Sequence, residues 1–174
     1  WRARKNVDGP ATWKVLRTGV VLAAIVAPIQ IFVGDLHGLV ALENQPAKIA
    51  AVEGIWETEK GAPLTLFGFP DEEARTTHFA IEVPKLASII LTHHVDGEIK
   101  GLNEFEDAHP PVAPLFWSFR VMVGMGFLML AVAWWGSYAL FRNKVGPWLL
   151  RALSWMTFAG WVASLAGWYV TEIG

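Results

Sequence analysis

Three stretches of this chain carry no formal charge for long enough to cross a lipid bilayer, and nothing else in the sequence limits the fold as strongly: Thr18 to Gly34, Val121 to Phe141 and Ala152 to Thr171. At about 1.5 Å of rise per residue each reaches roughly 25 to 31 Å, close to the thickness of a hydrocarbon core. Lipid offers no partner to a backbone N–H or carbonyl, so such stretches must be helical. The expected fold is an all-α integral membrane protein, with three transmembrane helices of a larger helical bundle and an extracytoplasmic loop domain. The segments are 1–17 cytoplasmic, 18–34 transmembrane, 35–113 an extracytoplasmic loop, 114–141 transmembrane, 142–151 a cytoplasmic loop and 152–172 transmembrane. Val15 and Leu16 can extend the first span past Arg17, and Pro28 and Gln30 are the residues expected to kink it or to line an interior.

Charge sets the orientation. Of the sixteen acids and fourteen bases, fourteen acids and five bases fall between Gly34 and His109, with all five histidines. Of the nine remaining bases all but Arg120 sit before the first span (Arg2, Arg4, Lys5, Lys14, Arg17) or between the second and third (Arg142, Lys144, Arg151), which places those segments in the cytoplasm and the acidic segment outside it. Trp134, Trp135, Trp148, Trp155 and Trp168 fall near span ends, as an aromatic belt does. The bases border apolar runs and form no basic face, so nucleic acid is not an expected partner. Without a single cysteine, a disulfide framework, an iron–sulfur cluster and thiol chemistry are excluded. No signal peptide is evident. A start at Trp1 and an end at Glu172-Ile-Gly174 suit a segment of a longer membrane protein.

The acidic segment is too long for a plain loop and is expected to have structure of its own. Pro46 to Trp56 reads as a helix with proline in its first turn and Ile49, Val52 and Trp56 on one face. Pro63 to Pro70 reads as turn-rich, and Pro84 to His93 as a second short helix. Pro110, Pro111 and Pro114 stiffen the return into the second span.

Several residues carry possible chemistry. Lys48 and Glu53 are five apart, about 140° around a helix, so they do not form an i,i+4 pair. They read either as two solvated helix residues or as a couple for a quinol head group, one orienting an oxygen while the carboxylate takes the released proton. His37 lies in Gly34-Asp-Leu-His-Gly38, where a turn at the interface is expected. His78, His93 and His94 are weak metal candidates, because adjacent histidines point different ways. Arg120, Met122 and Glu172 fall at the membrane face that carries the acidic loop. Met122 reads as packing or as a haem axial ligand, with Arg120 placed to neutralise propionates or favour ferrous iron. Glu172, an acid at the end of an apolar helix, is a functional candidate for binding a metal, a cation or protons.

Five blocks then carry a resemblance: Gly34-Asp-Leu-His-Gly38; Gln45-Pro-Ala-Lys-Ile-Ala-Ala-Val-Glu-Gly-Ile-Trp-Glu-Thr58; Leu66-Phe-Gly-Phe-Pro70; Val112-Ala-Pro-Leu-Phe-Trp-Ser-Phe-Arg-Val-Met-Val123; and Gly167-Trp-Tyr-Val-Thr-Glu-Ile-Gly174. In order, and through nearly the whole chain, they resemble subunit I of the cytochrome bd-type quinol oxidases. The resemblance implies the sixth to eighth of nine transmembrane helices in a bacterial inner membrane, with 35–113 as the periplasmic quinol-binding loop. It implies oxidation of ubiquinol or a related quinol outside, and electron transfer through a low-spin haem b to a high-spin haem b and haem d, where dioxygen becomes water. Lys48 and Glu53 match the loop positions tied to quinol oxidation, with Gln45 beside them. Met122 matches the axial ligand of the low-spin haem b and Arg120 its neighbour, while Glu172 matches the acid associated with the high-spin haem b. Subunit II, a small accessory subunit and membrane lipid are the implied partners.

The short stretch from Asn103 to Pro110 resembles the short-loop branch, and the wording around Gly34 and His109 leans to the cyanide-insensitive subgroup, with haem d or a further haem b at the oxygen site. The histidine ligands are not in this chain, so by itself it is expected to have no oxidase activity. The alternative from another class is a transporter or structural membrane protein whose acidic ectodomain binds a partner.

Overall fold

The computed structural model describes residues 9–105 and 108–174. Arg2, Arg4 and Lys5 of the basic N-terminal segment lie outside the described residues, as do two positions of the short stretch before Pro110. Three helical segments are long and apolar enough to cross a membrane: Pro10–Asn44, Val112–Phe141 and Pro147–Ile173. We label the helices α1 (Pro10–Asn44), α2 (Pro46–Glu53), α3 (Leu86–Thr92), α4 (Val112–Phe141), α5 (Pro147–Trp155) and α6 (Ala159–Ile173). The third span is thus α5 and α6, joined through a single 3-10 turn at Met156–Phe158.

The chain divides into two compact units, one formed by the residues up to Phe32 with Met122–Leu165, the other by Val33–Val121 with Ala166–Gly174. In the first, the helical unit, α1 and α4 approach closely where Gly136 lies against Val20: a Cβ on Gly136 would stand 2.9 Å from a Val20 methyl. Small residues at helix contacts serve this purpose in membranes, where close backbone approach replaces the hydrophobic drive. Pro28 sits inside α1 without ending it. Its missing N–H leaves the carbonyl four residues earlier, that of Ala24, without a helical partner, and the Trp134 indole N–H donates to that carbonyl at 3.1 Å.

The second, loop-bearing unit departs from expectation in two places. No turn occurs at Gly34 to Gly38; α1 runs on to Asn44. Leu36, Leu39, Val40 and Leu42 continue the helical apolar pattern, and the first strong stop is Gln45, which the following Pro46 pushes out of helical geometry (φ −137°). Nor is Pro63 to Pro70 a series of turns. Leu64–Asp71 is a strand, β2, paired antiparallel with β3, Thr76–Val83, as its aromatic and β-branched content favours. Asp71 closes the hairpin by accepting from the backbone N–H of Glu73 and Ala74 at 3.0 Å each. Two shorter strands, β1 (Glu59–Lys60) and β4 (Glu98–Ile99), pair antiparallel.

Helix α2 is shorter than expected because Gly54 takes a left-handed conformation (φ +71°) that ends it. Ile49, Val52 and Trp56 are nonetheless all buried, Trp56 from beyond the helix. Ala50, Ala51, Val52 and Trp56 form one core with Leu102, Val112 and Leu115, against which Phe119, Val170 and Ile173 pack. A second core joins Ile55, Ala62, Ala87 and Ile99. Gly101 is required by close approach: its backbone crosses that of Trp56 and Glu57 with no room for a Cβ, and its N–H bonds the Thr58 hydroxyl at 2.9 Å. The Glu72 carboxylate accepts from the Val112 N–H at 2.8 Å, satisfying one of the free donors that open α4.

Candidate functional site

Glu53 is the last residue of α2 and is only 3% exposed. Its helix turns it inward with Ile49 and Val52, away from water. Facing it is Arg120 on the first turns of α4, with Nη2 3.6 Å from Glu53 Oε2. The guanidinium is held on all sides. Nε donates to the Thr65 carbonyl at 3.0 Å, Nη1 donates to the Val52 and Phe116 carbonyls at 2.7 and 3.0 Å, and Nη2 also reaches Thr65. Its carbon lies 3.3 Å from the centre of the Phe116 ring, a cation–π contact.

The carboxylate is therefore near a cation but not hydrogen-bonded to it, and Glu53 Oε2 has no hydrogen-bond partner. Burial raises its pKa from 4.5 to about 7, against the opposing pull of the Arg120 charge. A buried carboxyl that changes charge near neutrality, with one oxygen free, is suited to accept a proton.

The hairpin also carries an aromatic cluster that reaches the Phe116 ring beneath the guanidinium through Trp117. Phe67 and Phe69 lie 5.3 Å apart, edge to face, and stand 5.2 and 5.8 Å from Trp117. Trp117 in turn meets Phe116 at 5.7 Å. Trp56 is fixed by its indole N–H on the Thr77 hydroxyl at 3.1 Å, and that hydroxyl donates to the Gly54 carbonyl at 3.1 Å, pinning the end of α2 beside Glu53.

The other candidates are placed as follows. Gln45 is exposed at the start of α2. Lys48 does not meet Glu53; its ammonium donates to the Thr171 carbonyl at 3.4 Å. Glu172 is exposed and accepts from the Trp168 indole at 3.0 Å. Met122 is half-buried on α4, two residues beyond Arg120. His37 is exposed on α1; His93 meets Asp35 at 3.3 Å and His78 meets Asp71 at 3.5 Å. No cluster of three or more His, Cys, Asp or Glu side chains suited to a metal occurs among the described residues. Sequence reasoning missed the contact between Glu53 and Arg120 and the hairpin carbonyl that orders it. A lone arginine opening an apolar helix was the signal that an acid must lie near.

Comparison with known proteins gives these features a family. The profile of the family described as cytochrome bd terminal oxidase subunit I matches residues 1–174. The chain is 36% identical over 155 residues to the cytochrome bd ubiquinol oxidase subunit 1 of Bacillus subtilis strain 168, covering 81% of this chain and 33% of that one. It is 26% identical over 220 residues to the cytochrome bd-II ubiquinol oxidase subunit 1 of Escherichia coli K12, covering 87% and 42%. That matched stretch exceeds this chain's 174 residues, so the E. coli protein has residues inside it with no counterpart here. The solved bd oxidase of Geobacillus thermodenitrificans superposes with a TM-score of 0.83 at 35% identity, over 92% of this chain and 38% of that one. The chain thus spans about a third to two-fifths of the length of these relatives. With three apolar helices, an ordered loop unit between the first two and a match along its whole length, the chain belongs to the cytochrome bd terminal oxidase subunit I family.

Proposed function

We propose that this chain supplies the quinol-oxidising part of a bd-type terminal oxidase, in which two quinols and one dioxygen become two quinones and two waters. The observation that carries the reading is Glu53, a buried carboxyl with a free oxygen and a pKa near 7. Oxidation of a quinol releases two protons with two electrons, so a base near the ring oxygen is needed. Glu53 takes one proton. Lys48 and Gln45, at the start of α2, orient the head group. Arg120 holds the α2 end against β2 and prevents Glu53 from becoming too basic to release its proton.

The donor set fits haem on the terms of this chain. Met122, through its thioether, and Glu172, through its carboxylate, would hold a low-spin and a high-spin haem b respectively. When bound, the haems supply one-electron transfer. Arg120 would act on a bound haem by its charge, since four of its five N–H donors are engaged by backbone carbonyls. The oxygen site, with haem d or a further haem b, belongs to parts of the subunit outside this chain. Subunit II and a small accessory subunit complete the complex. The bacterial inner membrane is its location, with 35–113 on the periplasmic side.

The test uses the assembled oxidase. Glu53→Gln is expected to lower kcat for quinol oxidation by roughly 100-fold, within the range for loss of a general base, with the haem spectrum unchanged. In the wild type, kcat/KM should rise with pH through about 7, and the variant should lose that limb. Met122→Leu should instead shift the low-spin b band of the reduced-minus-oxidised spectrum. A Glu53→Gln enzyme with wild-type turnover and pH profile overturns the assignment of the base.

A further inference from the structure

The helical unit holds a cleft that the quinol chemistry does not use. It encloses about 510 Å³ between the first turns of α1 and the last turns of α4, lined by Trp13, Lys14, Arg17, Val21, Ser137 and Asn143 together with Leu140 and Phe141. Lys14 and Arg17 are exposed and have no carboxylate within ion-pair distance among the described residues. The Ser137 hydroxyl is buried and lacks any hydrogen-bond partner, a costly state in an apolar setting unless a ligand supplies one. A second, apolar groove of about 360 Å³ adjoins the cleft and shares Arg17 and Val21 with it, continuing along α1 past Leu22 to Ile25.

We propose that this paired cleft and groove is a binding site for an anionic phospholipid. The shape and chemistry divide as the lipid does. Two cations and the amide of Asn143 meet a phosphate, the orphaned hydroxyl donates to a phosphate or ester oxygen, and the groove from Val21 to Ile25 takes an acyl chain. Trp13 also lines the cleft, and an indole suits the boundary between apolar and hydrated layers. A free phosphate would use the cations but leave the groove empty, so the adjoining apolar groove, which shares Arg17 and Val21 with the cleft, selects a lipid. Basic pockets between transmembrane helices recognise anionic headgroups by this combination. The site does not depend on the quinol reading.

The intact oxidase complex is the material for the test, purified in mild detergent and exchanged into nanodiscs of phosphatidylcholine with or without phosphatidylglycerol or cardiolipin. Native mass spectrometry should find at least one anionic phospholipid retained per wild-type complex. In Lys14→Gln/Arg17→Gln retention should fall at least tenfold, whereas Lys14→Arg/Arg17→Lys should keep it. Val21→Trp fills the shared groove with the charges intact and should also lose the lipid, which keeps the proposal open to failure if the charge variant does not assemble. Inorganic phosphate at millimolar concentration should not displace the lipid. Retention that is equal for anionic and zwitterionic lipid, or unchanged in all variants, as when a neighbouring helix fills the groove, overturns the proposal, and so does displacement by free phosphate.

Discussion

In the helical unit one indole meets one stranded carbonyl, Trp134 to Ala24; in the loop-bearing unit one guanidinium gathers the carbonyls of Thr65, Val52 and Phe116 and still faces a carboxylate. Both arrangements repair polar groups that have lost water, but they differ in what remains afterwards. The indole and carbonyl satisfy each other and leave no charge, which is what an apolar medium demands. Arg120 satisfies backbone and leaves Glu53 short of one hydrogen bond, with a proton affinity displaced toward neutrality. On the proposed reading the proton acceptor is the group whose repair is incomplete, and it lies where the short helix α2 and strand β2 meet the first turns of the long helix α4.

The largest test of that contrast removes the cation. Arg120→Leu should leave Glu53 buried without compensation and strip donors from three carbonyls, costing about 3 to 5 kcal/mol. Loss of the complex on heating in detergent should come many degrees earlier than in the wild type. Combined with Glu53→Gln, which removes the stranded charge, much of that cost should return. If the double variant is no more stable than Arg120→Leu, the damage lies in the carbonyls alone and the pair is not an energetic unit.

Next in size is the dependence of stability on pH. Glu53 binds its proton more tightly folded than unfolded, with a pKa of about 7 against 4.5. Below about 4.5 both states are protonated and its contribution is complete. As pH rises from 4.5 to 7 the unfolded chain sheds the proton first, so stability falls, by up to about 3 kcal/mol, and levels off above 7. Thermal midpoints of Glu53→Gln should lack that decline. A variant that follows the wild-type curve would assign the slope to other groups.

What could be seen beforehand divides along the same line. The spans are legible because charge-free length is a property of consecutive residues, and Pro10–Asn44, Val112–Phe141 and Pro147–Ile173 contain the expected stretches. Helix α2 was readable from Pro46, Ile49 and Val52, although Gly54 ends it before Trp56. The site was legible in its members but not in its pairing. Lys48 and Glu53 stand out as a couple in sequence, yet Glu53 belongs with Arg120, 67 positions away, and the hydrogen bonds that order it come from carbonyls, which carry no residue-type signal. The β2–β3 hairpin was hidden by Pro63, Gly68 and Pro70, residues that read as turns but here stand just before, within and near the end of a strand. The extension of α1 past Gly34 was hidden by two glycines whose cost its apolar pattern outweighs.

The smallest effect tests the repair in the helical unit. Trp134→Phe keeps a smaller aromatic ring and removes the donor, leaving the Ala24 carbonyl unpaired; hydrogen bonds between membrane helices average about 0.6 kcal/mol and reach about 1.7, so a cost of about 1 kcal/mol is expected. Pro28→Ala restores a backbone N–H to position 28 and with it the ordinary partner for the Ala24 carbonyl. In that background Trp134→Phe should cost less, and the difference between the two costs measures the coupling directly. Equal costs in both backgrounds would mean that Trp134 contributes packing alone and that the carbonyl freed by Pro28 finds its partner elsewhere. A smaller cost in the Pro28→Ala background would establish that a proline inside this span is tolerated because one side chain on the neighbouring helix supplies what the proline withholds.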